Sequence, residues 1–317
     1  MGMGKISFFA AFALLLCCVS VQSYAAEAAA RDSLKYYVKA KGLFHVRTRT
    51  DVSSSNFTFG ANNGDDTYLA LIAKTPTRLK QNIGVGVGPI FLNFGIGLNG
   101  KNPDADLGLN IIGKTVNFSA NYSQSNTMTG GGSVSDNETI EIPAGAMFHN
   151  CLQANFLFVL NSKRFSYPAA MNQNTIQQRS AGSFLICLNA IAMHAENNEN
   201  AGWPLPDVSV QNGSIGIGLG YGYNWVPVER LLIHGSLTAS PAIFQITETK
   251  ISGVHKSFKG TPTANLTGNF ACVYHFPKHF YIGAYATLER LFTLSAQAQY
   301  LVTRGKTDAH IALGVRF

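Results

Sequence analysis

The stretch Ser214–Asn224, SIGIGLGYGYN, decides the fold class. Alternate positions carry Ile215, Ile217, Leu219, Tyr221 and Tyr223, while the intervening ones carry Ser214, Gly216, Gly218, Gly220, Gly222 and Asn224. Period-two alternation is the mark of a strand with two unlike faces. Read as a helix, the same residues would include four glycines, each about 0.8–1 kcal/mol worse than alanine. The segment is a strand with an apolar and a small, polar face.

The pattern recurs along the chain. Val116, Phe118, Ala120 and Tyr122 alternate with Asn117, Ser119, Asn121 and Ser123. Similar alternation covers Ile90–Asn99, Ala264–His275 and the closing stretch Asp308–Phe317. The polar faces are rich in Gly, Ser and Asn and poor in Lys and Glu, which suits a crowded lumen better than a solvated sheet. Aromatic residues gather near strand ends, at Tyr221, Tyr223 and Trp225 and at Tyr274, Phe276, Phe280 and Tyr281, as in the interfacial girdles of membrane barrels.

Composition points the same way. Of 317 residues, 46% are hydrophobic and only 13% charged, too apolar for a disordered chain and poorer in charge than soluble domains. The net charge of +7 comes without a Lys/Arg run or a recognisable nucleic-acid motif, so nucleic acid is not an expected partner. At the N-terminus, Lys5 precedes the apolar run Ile6–Val21, and Ser23-Tyr24-Ala25 offers a small-residue cleavage site. Residues 1–25 therefore read as a cleavable secretory signal peptide and 26–317 as a single outer-membrane barrel domain. Cys151, Cys187 and Cys272 remain, too few and too far apart for a disulfide framework or a metal site.

Tight turns are predicted at Gly88-Pro89, Gly113-Lys114, Asn161–Lys163, Trp225–Glu229 and Pro277–Lys278, and long polar loops at Asp51–Asp66, Ser125–Ala146, Glu196–Asn212 and Pro241–Pro262. Short periplasmic turns and long external loops characterise transmembrane barrels. The expected fold is thus all-β: an antiparallel up-and-down barrel of about 12 strands, with 10–14 compatible with the pattern.

One segment departs from this grammar. Asn161–Phe184, NSKRFSYPAAMNQNTIQQRSAGSF, resembles the signature of the domain of unknown function 4421 family of bacterial outer-membrane β-barrels. The matching positions are Arg164, Phe165, Ser166, Tyr167, Ala169, Ala170, Gln173, Ser180, Ala181, Gly182, Ser183 and Phe184, with Gly314-Val315-Arg316-Phe317 resembling the family's C-terminal end. The resemblance implies a barrel and no particular activity.

Two regions carry functional expectations. Lys35, Lys39, Lys41, His45, Arg47 and Arg49 share one face of the first expected strand, Lys35–Arg49. Charges facing lipid cost about 2–4 kcal/mol at the midplane, so this row should line the lumen. Closure against the last strand would add His310 and Arg316, forming a basic stripe for an anionic solute or lipid head groups. Pairing with acids such as Glu289 or Asp308 is the alternative. Arg164–Phe184 is expected to form a lumen plug or constriction, with Gly182 permitting a bend.

Two other functions deserve comparison. An outer-membrane lipid-acting hydrolase would draw on Ser180 or Ser183 with His194 and Asn189, but Ser183 and His194 differ by 11 positions, about 36 Å along a regular strand. A docking or assembly component would use the long loops for recognition. A non-enzymatic barrel without cofactor or metal is favoured. Its expected partners are outer-membrane lipid, a possible anionic solute, and the barrel-assembly machinery acting on the strand that ends at Phe317.

Overall fold

The computed structural model describes residues 35–317 apart from 63–67, 98–104, 135–137, 199–202, 204–206, 252, 278 and 295–299, so the expected signal peptide lies outside the described residues. In chain order the strands are β1 (Tyr37–Lys39), β2 (Phe44–Asn62), β3 (Tyr68–Lys74), β4 (Arg78–Val87), β5 (Ile90–Gly97), β6 (Ala105–Ile112), β7 (Val116–Ser125), β8 (Thr129–Val134) and β9 (Glu138–Ile142). After β10 (Met147–Val159) come a short helix α1 (Tyr167–Met171) and β11 (Thr175–Gln177). The remainder is β12 (Ala181–Asn197), β13 (Val208–Val228), β14 (Leu231–Ile251), β15 (Val254–Lys259), β16 (Thr263–His275), β17 (Phe280–Leu294) and β18 (Tyr300–Arg316).

Twelve of these strands form a closed antiparallel barrel, running β2, β4, β5, β6, β7, β10, β12, β13, β14, β16, β17 and β18 around the wall. The seam between first and last strands is continuous, from Tyr300 opposite Ala61 to Arg316 opposite His45. On β13 the pattern read from the sequence holds. Ile215, Ile217, Leu219, Tyr221 and Tyr223 are exposed on the outside, whereas Asn224 is fully buried. The glycines opposite them are needed for space. A Cβ on Gly218 would lie 2.0 Å from the backbone oxygen of Ala239, so the strand face must stay bare for β14 to approach.

The outer surface carries many large apolar side chains, among them Leu219 at 68% exposure and Ile311 at 61%. A water-facing surface does not sustain so broad an apolar area, and a lipid-facing one requires it. Tyr221, Tyr223, Trp225, Tyr274, Phe276 and Phe280 are exposed toward the end with the tight turns, but Tyr281 faces inward and is buried.

Several expectations need correction. The first expected strand is two elements, because Gly42 adopts φ +103° and breaks it; a Cβ there would meet the Phe317 backbone oxygen at 2.7 Å. The expected loops at Asp51–Asp66 and Pro241–Pro262 are largely strand, since β2 and β14 run on to Asn62 and Ile251. Polar composition misled there: beyond the bilayer, strands lose their apolar outer face but keep pairing. The extensions carry extra strands, with β3, β8 and β9 paired in succession outward from β2, and β15 paired to β14. Asn161–Lys163 does not close a tight turn, because β10 and β12 are joined by an inward fold containing α1 and β11. The expected turn at Pro277–Lys278 lies partly outside the described residues.

Inside, the lumen has three levels. At the external end, inward residues of many strands and of the β3 and β8–β9 additions merge into one apolar cluster that includes Phe57, Phe59, Leu71, Met128, Met193, Val210 and Val302. It spans the barrel: the rings of Phe57 on β2 and His149 on β10 are 5.9 Å apart. The middle level is polar. At the turn end the inward fold packs against the inner wall, Phe165 on Val159 and Leu185 and Ala169 and Ala170 on Leu232.

Burial in lipid sets the first test. Leu219 sits in the middle of the outward apolar run of β13, so Leu219→Arg should cost about 2–4 kcal/mol. Reversible denaturant unfolding of the barrel in phospholipid vesicles measures this, and Val228→Arg, at the end of the strand, should cost much less.

Candidate functional site

The inward fold is built from a small set of polar contacts. Ser166 caps α1, its hydroxyl accepting from the Ala169 backbone N–H at 3.2 Å, and Pro168 occupies the first turn where a missing N–H costs nothing. The helix ends at Met171 with Asn172 as its cap, Gln173 with φ +59° turns the chain back, and β11 then pairs antiparallel with β1. Gln177, fully enclosed, accepts from the Ser166 backbone N–H at 2.9 Å and donates to the carbonyls of Arg164 (2.7 Å) and Arg179 (2.9 Å). Asn224 on the β13 wall donates to the Ser166 carbonyl at 2.9 Å and to Gln177 Oε1 at 3.0 Å, and itself bonds His234 at 2.7 Å.

On the opposite side, two wall arginines hold the carbonyls at the end of the helical turn. Arg316 donates to the Gln173 carbonyl at 2.6 Å and Arg47 to that of Met171 at 3.3 Å. Arg47 also donates to Asn93 at 3.0 Å and lies 4.4 Å above the Phe91 ring. A guanidinium offers five donors, and carbonyls left free by a helix terminus are suitable acceptors. The fold is thus tied to β13 on one side and to β2 and β18 on the other.

Above it lies a chamber of about 280 Å³, lined by residues from the barrel wall and by Tyr167, Met171 and Asn172 of the inward fold. Its wall is rich in asparagines, including Asn82, Asn93, Asn117, Asn121, Asn155, Asn189 and Asn265. The charges there are matched. Arg49 pairs with Asp51 at 3.1 Å, Lys306 with Asp308 at 3.3 Å, Arg304 with Glu289 at 3.8 Å, and Lys80 with Asp106. Asp51 accepts a further hydrogen bond from Asn82 at 2.7 Å.

The structure brings together only part of the expected basic stripe. His45, Arg47, Arg49, His310 and Arg316 face inward near the seam. Lys35, Lys39 and Lys41 are exposed, Lys39 lying on β1 and Lys41 beside the Gly42 turn, so they are not lumen residues of the first barrel strand. Those that do face inward are not free. Arg49 is paired, Arg47 and Arg316 are engaged by backbone carbonyls, His45 bonds Tyr281 at 2.6 Å, and His310 stacks on Tyr285 with centroids 4.7 Å apart.

In the motif segment, Phe165, Ser166 and Gln173 are buried within the fold, and Tyr167 lines the chamber. Arg164 is exposed and stacks 5.3 Å from the Tyr36 ring. Gly182 is not at a bend: it lies within β12, where a Cβ would come 2.0 Å from the Tyr221 hydroxyl. Ser180 accepts from the Val226 backbone N–H at 3.0 Å, and Ser183 accepts from the Asn161 N–H at 2.9 Å while donating to the Phe184 carbonyl at 2.7 Å. Both serines are occupied with backbone. His194 lies toward the other end of β12, and its Nε2 faces both Ser209 (3.2 Å) and Glu196 (3.5 Å), so a single nitrogen meets both groups that a relay would need on opposite nitrogens. Among the described residues, no group of His, Cys, Asp and Glu could hold a metal ion. Sequence reading missed Gln177, Asn224 and His234. Their signal, inward parity at the turn end of adjacent strands, was present but shared with many other residues.

The arginine clamp can be tested directly. A hydrogen bond from a charged donor contributes about 1.5–3 kcal/mol, so Arg316→Ala should loosen the inward fold while the barrel wall stays closed. Tryptic cleavage after the exposed Arg164 and Arg179 should then rise at least several-fold in folded protein, with heat-modifiable gel mobility reporting that the barrel persists.

Comparison with solved structures finds barrels of the outer membrane. The outer membrane protease OmpT from Escherichia coli aligns at 8% identity over 87% of this chain and 97% of its own, with a TM-score of 0.41. The translocator domain of the autotransporter NalP from Neisseria meningitidis aligns at 12% identity over 96% of this chain and 97% of its own, TM-score 0.40. The Pseudomonas putida toluene transporter TodX aligns at 9% identity over 88% and 91%, TM-score 0.30. No curated protein matches the chain significantly. The sequence profile described as "Domain of unknown function (DUF4421)" matches residues 30–317, the whole barrel and inward fold included, and the chain belongs to that family.

Proposed function

We propose that this outer-membrane β-barrel is a solute-binding barrel whose passage is closed at rest, and not a freely conducting anion pore. The observation that carries the reading is the central polar chamber, bounded toward the outside by the apolar cluster around Phe57 and Val302 and toward the turn end by the inward fold. An open pore of this class needs a continuous aqueous path. Here both ends of the path are occupied by side chains packed as in a protein core.

Charge matching supports the same reading. A lumen that selects anions needs cations whose field is not cancelled. The chamber's Arg49 and Lys306 each face a carboxylate, the lining acids Asp106 and Glu289 are held by Lys80 and Arg304 from outside the lining, and Arg47 and Arg316 act on the inward fold. Transfer of a solute then requires displacement of the inward fold, with which Tyr37–Lys39 of β1 would move through their pairing with β11. The barrel-assembly machinery is the expected partner for β18, whose terminal Phe317 keeps an exposed ring while its backbone is held by Leu43 and Phe44.

Planar-bilayer recording tests the reading. The intact chain should give no steady open-channel current, and Arg47→Ala with Arg316→Ala, combined with Phe57→Ala and Phe59→Ala to thin the outer cluster, should give intermittent openings with little preference between anions and cations. A constant ohmic conductance from the intact chain would show that the passage is open and overturn the proposal.

A further inference from the structure

We infer that the outer wall carries a binding site for the phosphorylated head group of an outer-leaflet lipid, on the sector β17, β18, β2 and β3 at the loop end. The site lies outside the lumen and does not depend on whether the passage is closed. It is a cationic row set by the register of four strands. Arg290 on β17 stands opposite Gly305 on β18, Gly305 opposite Asn56 on β2, and Asn56 opposite Lys74 on β3. By parity all four face outward, since their neighbours Leu291, Arg304, Phe57 and Ala73 are buried on the inner side. Asn56 and Lys74 are exposed and Arg290 is half-buried. Gly305 keeps the row open: a Cβ there would collide with Asn56 Oδ1 and lie 2.9 Å from Arg290 Nη1, so both side chains lie across it.

Arg290 is held in place but not neutralised. Its Nη1 donates to the backbone carbonyls of Glu289 at 2.9 Å and Lys306 at 3.3 Å, and its Nη2 faces the Thr307 hydroxyl at 3.5 Å. These bonds brace the guanidinium and leave Nε–H and one Nη2 hydrogen without a protein acceptor. That Nε is accessible, unlike the sealed Nε atoms of Arg49 and Arg304. Among the described residues no carboxylate pairs with Arg290 or Lys74: Glu289 turns inward to Arg304 and Asp308 to Lys306, while Glu141 on β9 lies two strands beyond β3. Elsewhere at the loop end the outward charges are mixed, with Glu196 beside His194 on β12 and Glu248 and Lys250 on β14. Around Arg290 the surface is apolar, Leu288 and Phe292 flanking it along β17 and Leu266 beside it on β16, all exposed. A guanidinium set among lipid-facing side chains with no protein anion takes its counter-ion from the lipid.

Depth selects the anion. Phe280, in the aromatic girdle at the turn end, and Arg290 are ten positions apart on β17. At about 3.3 Å per residue and a tilt of roughly 40°, they span about 25 Å along the membrane normal, the height of the apolar band of such barrels. The row therefore sits where hydrocarbon gives way to head groups, and the anion offered there by the outer leaflet is a lipid phosphate. A phosphate accepts from several donors at once, which the guanidinium, the lysine ammonium and the Asn56 amide supply. Acyl chains of the same lipid lie against the exposed Leu288, Ala309 and Val52 on the turn side of the row, so head group and chains bind together and free phosphate binds weakly.

Native mass spectrometry of the full-length barrel, refolded in detergent micelles with lipid A carrying its phosphates, tests the inference. One lipid A should be retained per barrel, and the dephosphorylated form with the same acyl chains should be retained about tenfold less. Lys74→Gln should lower retention about fivefold and Arg290→Gln about tenfold, whereas Lys250→Gln on β14 should leave it unchanged. Heat-modifiable mobility checks that each variant is folded. Lys74→Gln, at a side chain that holds nothing in the wall, covers the case in which Arg290→Gln fails to fold. Equal retention of the two forms of lipid A, undiminished retention in the folded variants of the row, or an equal loss in Lys250→Gln would overturn the assignment. Displacement of the lipid by millimolar inorganic phosphate would overturn it as well, by showing a site for the free anion.

Discussion

A strand in hydrocarbon has no water to satisfy its backbone, so each N–H and C=O that the sheet leaves over costs several kcal/mol and an open edge cannot persist. The pairing of β18 with β2, continuous from Tyr300 to Arg316, removes that edge. Everything else follows from the closure. Once the wall is a ring, residues of one parity face lipid and those of the other share one confined interior. On β13 the first set is Ile215, Ile217, Leu219, Tyr221 and Tyr223, and the second is mainly glycine. The chamber exists because the inward set changes along the strands: apolar at Phe57 and Phe59, polar at Arg49 and Asp51, and polar again at His45 where the inward fold docks.

That interior level by level was not legible from one strand at a time. Alternation and turn spacing pointed to a closed barrel of about twelve strands, because each strand writes both faces into its own sequence. What lies across the lumen is written on another strand, tens to hundreds of residues away. Lys306 and Asp308 are near neighbours, but Arg304 meets Glu289 and Lys80 meets Asp106 only through the register of the sheet. In the row of basic residues near the N-terminus, Arg49 meets Asp51 two residues along its own strand, but Arg47 meets Asn93 of β5 and the inward fold, and His45 meets Tyr281 of β17. The first three lysines were separated from the rest by Gly42, a single residue whose positive φ the alternation of side chains concealed. The hydrophilic ends of β2 and β14 misled for a different reason. An outward face needs apolar side chains only where lipid touches it, so polar sequence beyond the bilayer is compatible with strand.

The motif segment shows the same limit from the other side. Arg164–Phe184 stood out because it breaks the barrel pattern; residues 164–180 leave the wall, whereas Ala181–Phe184 are the start of β12. The residues that seat it are ordinary members of the wall, Asn224 and His234 on adjacent strands and Arg47 and Arg316 at the seam. Nothing local marks them. Asn224 ends a run of lumen-facing small residues, and Arg316 precedes the last residue of the chain.

The position of the two arginines ties the inward fold to closure. Arg47 belongs to the first barrel strand and Arg316 to the last, and they come within reach of the same helix end only because the seam sets Gly314 opposite Arg47 and Arg316 opposite His45. A chain with an open seam can form α1, its Ser166 cap and the Gln177 bonds, all of which are local. It cannot complete the side of the fold that rests on both edges. Docking of the inward fold is consequently a late event that adds stability to a closed wall, since contacts made only in the closed state favour that state by their own free energy. The argument also runs in reverse. Withdrawing the fold removes partners from Arg47 and Arg316 at the seam, leaving two buried guanidinium groups to find water. An open state is tolerable only if water enters the lumen as the fold leaves it, so hydration of the polar chamber and displacement of α1 belong to one transition.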